Sequence, residues 1–233
     1  SNLTEIKSTD TLDNQTFKGF RHGIEYVRKN LDRKQYPSSG EHFLVALDFF
    51  NAKETLIPGN TSNLTEPLSK RNNWVRLKLR AEQYFGTGWF KYGYMAEGVF
   101  SNQNTGFNLT GSQINAPAFE PLPDSPSLFL ENFRAYNYLA GGIRNIYSVG
   151  NNIDFRLEAY VFKPFKTLQV DESLDRVMLN DETDFHFAGT IAGVYHSLLG
   201  PISMQVNYYD DQANRWGFLL HVGYLIFNKD AFE

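Results

Sequence analysis

The stretch Ile153-Asp154-Phe155-Arg156-Leu157-Glu158-Ala159-Tyr160-Val161 decides the fold. Apolar residues fall at every odd position, and charged or polar residues at every even one. Successive side chains of a strand point to opposite faces, so this period of two predicts a strand with one apolar and one charged face. The same pattern recurs. Ile202, Met204, Val206 and Tyr208 alternate with Ser203, Gln205, Asn207 and Tyr209. Val75, Leu77, Leu79 and Ala81 alternate with Arg76, Lys78, Arg80 and Glu82. Phe43, Val45, Leu47 and Phe49 oppose His42 and Asp48. Nine such segments are predicted, at 17–29, 41–55, 73–85, 89–102, 136–148, 152–164, 185–197, 201–209 and 215–227. Residues 1–16 read as a polar loop. A helical period is not seen.

A sheet of this kind has two homes. In a soluble sandwich or lipocalin-like barrel the apolar face turns inward. In a transmembrane antiparallel β-barrel it turns out to lipid. Three features favour the second. The charged faces are long and regular. The strands exceed the usual five or six residues. Aromatics gather at strand ends, at Trp74, Tyr84, Phe85, Trp89, Phe90, Tyr147, Tyr195, Tyr208, Tyr209 and Trp216, as in the girdles of a membrane barrel. The chain carries 20 Phe and 13 Tyr among 233 residues. It reads as one all-β domain over 1–233.

The connections alternate in length. Gly86-Thr87-Gly88, Val149-Gly150-Asn151 and Leu199-Gly200 are short, whereas 56–72, 103–135 and 165–184 are long. In outer-membrane barrels short turns face the periplasm and long loops face outside. That rule orients all nine strands and leaves the C-terminus periplasmic. An odd count conflicts with the even counts of single-chain bacterial barrels. The nine are therefore expected to be the C-terminal part of a larger barrel.

One connection is unusual. Residues 115–138, NAPAFEPLPDSPSLFLENFRAYNY, carry four prolines, so neither helix nor central strand suits them. They are also apolar, with Phe119, Leu122, Leu128, Phe129, Leu130 and Phe133. The stretch reads as a loop that folds back into the barrel lumen, anchored by Phe133-Arg134-Ala135-Tyr136.

Other chemistry is excluded or weak. A net charge of −4 does not suggest nucleic acid as a partner. With no Cys there is no thiolate metal site or Cys nucleophile. No Gly-x-Ser-x-Gly elbow or Walker loop is present, so no catalytic residue and no cofactor are assigned. The five histidines are scattered and read as lumen-lining. The acids Asp171, Glu172, Asp175, Asp181, Glu182 and Asp184 lack a calcium-loop spacing and read as a solvated loop. The sequons at Asn63 and Asn108 read as composition.

Two stretches carry a resemblance. Asn30-Leu31-Asp32-Arg33-Lys34-Gln35-Tyr36-Pro37-Ser38-Ser39-Gly40 resembles a periplasmic turn of the bacterial surface antigen barrels, the superfamily of the BamA and TamA insertases. The 115–138 loop resembles the sixth extracellular loop of that superfamily, with Arg134-Ala135-Tyr136 where its Arg-Gly-aromatic element stands. The resemblance implies a 16-stranded barrel, with five strands after the loop. It also implies an anchor in which Arg134 pairs with Glu158, flanked by Phe133 and Tyr136. Arg144 departs from it, standing near a position where the insertases often carry an acid.

The wording PAFEP…LFLENFRAYNYLAGG, with NYYD…GFLLHVGYLIFNKDAF, is similar to the C-terminal barrels of Bacteroidetes patatin-like phospholipases. This implies a lipolytic domain upstream that the barrel anchors or exports. Alternatives are an insertase or secretion barrel, and a passive porin. Gly223, Tyr224 and Phe227 of the last strand resemble the signal read by the outer-membrane assembly machinery. Lipid and that machinery are the expected partners, with no oligomeric state implied.

Overall fold

The computed structural model describes residues 11–60, 66–150, 152–171, 176–181 and 183–223. Strands β1 (Asn14–Leu31), β2 (Gly40–Ile57), β3 (Leu68–Thr87) and β4 (Phe90–Ser101) come first. A short helix, α1 (Leu109–Ile114), and two 3-10 turns (Ser125–Ser127 and Glu131–Phe133) follow. Then come β5 (Tyr138–Val149), β6 (Ile153–Pro164), β7 (Thr167–Asp171), β8 (Arg176–Asn180), β9 (His186–Ser197), β10 (Gly200–Tyr209) and β11 (Trp216–Val222). All nine predicted segments are strands of one antiparallel sheet, in the order β1-β2-β3-β4-β5-β6-β9-β10-β11. No helix among the described residues is long and apolar enough to cross a membrane.

Several bounds differ from expectation, and β3 begins at Leu68, inside the connection expected over 56–72. β1 begins at Asn14, inside the stretch read as a loop, because its first residues pair with the end of β2 from Asn14↔Ile57 onward. The connection 165–184 carries a separate hairpin, β7–β8. Its apolar residues face each other as Leu168↔Leu179 and Val170↔Val177. That alternation was hidden by the acids around it.

The sheet is inverted relative to a soluble fold. Along β6, Ile153, Phe155 and Leu157 are exposed, while Asp154, Arg156 and Glu158 are buried. Ile143, Ile191, Met204 and Leu220 are likewise exposed, at 59, 66, 56 and 61%. Their charged or polar neighbours Arg144, Thr190, Gln205 and His221 are 7% exposed or less. Apolar side chains normally go in and charges out; here the assignment is reversed on most strands, while β1 is exposed along most of its length.

The sheet must also curl. β10 lies six strand positions from β2 in the sheet order, about 29 Å if flat, at roughly 4.8 Å per strand. Yet Tyr36, in the turn between β1 and β2, places its hydroxyl 2.9 Å from Ser203 Oγ on β10. A turn of this length cannot cross a flat sheet, so the buried face is the inner one.

Aromatic pairs cluster at both ends of the strands. At the short-turn end, Trp89, Phe90 and Tyr147 pack together, with centroids 5.2–6.2 Å apart. Phe85 stacks on Tyr92 at 5.4 Å. At the long-loop end, Tyr208 meets Trp216 at 5.0 Å and Phe100 meets Phe165 at 6.0 Å. Three residues assigned to the girdles from sequence do not belong there. Trp74, Tyr84 and Tyr209 are buried on the inner face, because they share the phase of the polar residues on their strands. Of the histidines, His42, His186, His196 and His221 share the inner face, but His22 pairs with exposed Phe49 on the outer one.

Two glycines shape the inner face. Gly93 faces Tyr84 across the strand pair, and Gly142 faces Tyr160. Each tyrosine ring lies over the glycine, where a Cβ would come within 2.6 Å at Gly93 and 2.2 Å at Gly142. Glycine in a strand marks such a close approach. Gly142→Ala is therefore expected to cost about 1–3 kcal/mol by overpacking. Gly193→Ala, whose Cβ meets nothing nearer than 3.8 Å, should be close to neutral. Chemical unfolding of both variants checks this; equal stabilities would contradict the packing assigned to Tyr160.

Candidate functional site

The two tyrosine–glycine pairs converge on Arg144, the one charged residue of β5. Gly93 is also its partner on β4, and because Gly93 lacks a side chain Arg144 can reach past it to β3. There its Nη1 donates to Glu82 Oε1 and to the Tyr84 hydroxyl. On the other side its Nε donates to the Tyr160 hydroxyl at 2.7 Å and lies 3.6 Å from Glu158 Oε2. Arg156 donates from Nε to Glu158 Oε1 at 2.7 Å. Arg80 links Glu82, at 3.5 Å, to Glu97, at 3.3 Å. Tyr138 donates to Glu97 Oε1 at 2.7 Å. Three guanidiniums thus face three carboxylates across β3 to β6, tied by three tyrosines. Burying charge is costly unless it is paired and hydrogen-bonded, and this arrangement supplies both.

Two segments insert onto this face from opposite ends. The β1–β2 turn, residues 32–39, comes from the short-turn end. Asp32 folds it, accepting from the Ser38 and Ser39 amides at 2.8 and 3.0 Å. Arg33 then reaches Asp154 at 3.0 Å, itself bound to His196 at 2.7 Å and to Ser148 at 2.7 Å. The Pro37 carbonyl accepts from Arg156 at 3.0 Å, and Lys91 donates to Ser38 Oγ at 3.1 Å. Tyr36 adopts φ 53°, a left-handed conformation that is uncommon outside glycine. Its buried hydroxyl, held by Ser203 and Gln205, is what keeps it there. Burial pushes the Tyr36 hydroxyl pKa up.

The proline-rich loop enters from the other end and packs against this face, with Phe129 left exposed. Phe119, Leu122, Leu130, Phe133 and Ala135 form one apolar cluster with Met95, Val99, Tyr138, Tyr160, Phe162, Ala188 and Tyr209 of the sheet. Phe133 sits 5.7 Å from Phe162 and 6.0 Å from Tyr209, centroid to centroid. Ser125 and Asp124 bond the Tyr209 hydroxyl at 2.8 and 2.7 Å. A bridge between Ala118 and Arg134 closes the loop on itself. Asn108, read from sequence as a composition artefact, caps α1 by accepting from the Gly111 amide at 2.7 Å.

The four anchor residues separate. Phe133 is fully buried, and Tyr136 is buried with its hydroxyl donating to Ser112 O at 3.4 Å. Burial pushes the Tyr136 hydroxyl up to about 12, and the Glu54 carboxylate adds to that shift. The pairing of Arg134 with Glu158 is corrected. Arg134 Nη1 donates to the Ile114 and Ala116 carbonyls at 3.3 and 3.2 Å, and its guanidinium lies 4.8 Å from the Phe129 centroid. Burial lowers its pKa, against the pull of nearby Glu120. Glu158 instead serves Arg156, Tyr160 and Arg144. Arg134 braces the loop internally, and Arg144 is the cation that the inner-face acids need.

Gly223 lies just past β11, its amide donating to Pro201 O at 2.9 Å, while Tyr224 and Phe227 lie outside the described residues. Among the described residues no group of three His, Cys, Asp or Glu could hold a metal ion. No protein-family model, no curated protein and no solved structure matches the chain.

Replacing Arg144 by Met leaves Glu82 and Glu158 with one guanidinium each. The expected loss is roughly 3–5 kcal/mol, the cost of breaking a buried pair. Adding Glu82→Gln should recover part of it, and additive losses in a double-mutant cycle would contradict the coupling. The turn makes a pH prediction. Burial pushes the Asp32 carboxyl up, but the Ser38 and Ser39 hydrogen bonds outweigh it and hold the pKa below its ordinary value. A lowered folded-state pKa stabilises the turn above the unfolded value of about 3.9. That stabilisation disappears as pH falls through the folded value. Proteolysis of the 32–39 turn should rise on acidification below about pH 4 in the parent and be independent of pH there in Asp32→Asn. Parallel curves would contradict the role of Asp32.

Proposed function

We propose that this chain is the C-terminal part of an outer-membrane β-barrel whose lumen is plugged by its own loop and turn, and that it anchors or exports a patatin-like lipolytic domain. The observation that carries the membrane reading is the inversion of the sheet. A continuous outer face of exposed Ile, Leu, Phe, Met and Val suits hydrocarbon and is a liability in water. The inner face, with its charges paired and covered, suits a lumen. From Ile153 to Val161 the apolar outer face of β6 runs about 26 Å along the strand at roughly 3.3 Å per residue, comparable to the apolar band of about 25 Å on membrane barrels before tilt is allowed for.

Strands β1 and β11 are each paired on one side only among the described residues. An unpaired edge in lipid leaves backbone groups unsatisfied, so the barrel reading requires that both edges be paired. The patatin assignment rests on the sequence resemblance, and it places the hydrolytic chemistry outside this sheet. The filled inner face favours an anchor over an open pore. An insertase would draw instead on a weak seam between the first and last strands of the barrel, and a bilayer conductance that rises when the 115–136 loop is deleted measures how tightly the plug seals.

The membrane reading is tested by refolding the chain with phospholipid vesicles and floating them on a density gradient. The parent should float and resist urea extraction. Leu157→Arg, on the outer face, should lose about 2–4 kcal/mol of folding stability in the bilayer. A parent chain that folds in buffer and stays with the soluble fraction would sink the proposal. Hydrolysis of phospholipid by this chain alone would refute the division of labour with an upstream domain.

A further inference from the structure

At the long-loop end the first three strands outrun the rest. β3 pairs with β4 only from Arg76 onward, so its residues 68–75 and the facing ends of β1 and β2 extend past β4. Directly opposite residues of neighbouring strands share a face, and the pairings here assemble one patch on the outer face. Lys18 of β1 stands opposite Lys53 of β2, and Lys53 opposite Arg71 of β3. On the loop side of this row lie three hydroxyls, Thr16 opposite Thr55 and Thr55 opposite Ser69. On its other side Asn51 stands opposite Asn73 and donates to Asn73 Oδ1 at 2.6 Å.

The patch is positive and open. Lys18, Lys53 and Arg71 are exposed, and no acid stands in these rows. None of the three cations makes an ion pair among the described residues. Like charges directly opposite on adjacent strands repel, so a row of three calls for an anion. Elsewhere on the outer face the cations of the strands have partners. Arg28 meets Glu41 at 2.7 Å, and Lys163 donates to the Thr183 carbonyl. The cationic row spans two strand spacings, about 10 Å, so its long side chains can converge on one phosphate. Toward the short-turn end the same face turns apolar, with Ile24, Leu47 and Phe49 exposed. Phe49 is four residues from Lys53, about 13 Å along the strand.

We propose that this patch binds the phosphomonoester of a lipid headgroup in the outward leaflet. The inference rests on the membrane reading, which puts the apolar part of the face in hydrocarbon and its long-loop end among headgroups. Charge selects the ligand. A phosphomonoester carries about −1.5 to −2 at pH 7, which answers three unpaired cations better than a singly charged diester does. Arg71 can grip phosphate oxygens with two parallel N–H groups, and the lysines add point charges. Thr16, Thr55 and Ser69 supply neutral donors beside them. A lipid uses both parts of the face at once, its phosphate on the cationic row and its acyl chains along Phe49, Leu47 and Ile24. A free phosphate uses only the first.

For the test, the chain is floated with phosphatidylcholine vesicles and then moved into zwitterionic micelles. Short-chain phosphatidic acid, phosphatidylglycerol and phosphatidylcholine are titrated in, and bound lipid is counted by native mass spectrometry. Phosphatidic acid, the monoester, should bind at least about tenfold tighter than the diester phosphatidylglycerol, or 1.4 kcal/mol. Lys53→Gln/Arg71→Gln should abolish that preference, and Arg28→Gln, at the far end of β1, should leave it intact. Should the double variant fail to fold, Lys18→Gln should reduce the preference in the same direction. A parent that floats but does not prefer phosphatidic acid, a preference lost equally in Arg28→Gln, or inorganic phosphate displacing the lipid at equal concentration would overturn this site alone. A parent that fails to float overturns the membrane reading and the site with it.

Discussion

The buried guanidinium of Arg144 sets the terms for the rest of the structure. It lies on the inner face of β5 with two carboxylates and two tyrosine hydroxyls around it. A charge in that position is tolerable only with partners from both neighbouring directions. β6 supplies Glu158 and Tyr160 directly. Glu82 and Tyr84 come from β3, two strands away, and reach it because the intervening position is Gly93. Glycine at 93 and 142 is thus part of the electrostatics as much as of the packing. The polar inner phase then fixes the outer phase, since side chains alternate. A sheet that buries its charges must expose its Ile, Leu and Phe.

The inner face is covered by two segments that use different chemistry. The 32–39 turn is polar and holds by hydrogen bonds and ion pairs: Arg33 to Asp154, Arg156 to Pro37, Tyr36 to Ser203 and Gln205. The proline-rich loop is apolar and holds by ring packing around Phe119, Phe133 and Phe162. Prolines suit that loop because it needs irregular backbone with few donors to satisfy. The two coverings meet the same rows of residues: Tyr36 touches one end of β10, and Asp124 and Ser125 touch the other through Tyr209. This division matches the proposed plug, in which each segment seals one mouth.

Much of the fold was legible because period-two alternation is a local signal. All nine strands and their antiparallel order follow from it and from the short turns at Gly86, Gly150 and Gly200, whereas the 115–138 loop was read from its prolines and apolar residues. The β7–β8 hairpin was missed because its Leu and Val pairs are short and sit among acids. The site was legible only as a face. Arg80, Glu82, Arg156 and Glu158 were on the correct phase, but which charge meets which depends on register and on the gaps left by glycine. Arg134 was read as the lumen cation from its aromatic neighbours; it donates instead to carbonyls of its own loop. Arg144 stood out in the sequence only as a departure, and Gly93, which makes its reach possible, gave no sign of its role.

The central claim is that the apolar face of this sheet meets lipid and the charged face does not. The chain has no Cys, so single cysteines can be placed and spin-labelled without background. Met204→Cys on the outer face and Ser203→Cys on the inner face are adjacent in sequence and opposite in direction. In vesicles, collision with dissolved oxygen, which partitions into lipid, should be high for the label at 204 and low at 203. A label at 204 that collides instead with a water-soluble nickel complex, or equal oxygen collision at both positions, would contradict the account.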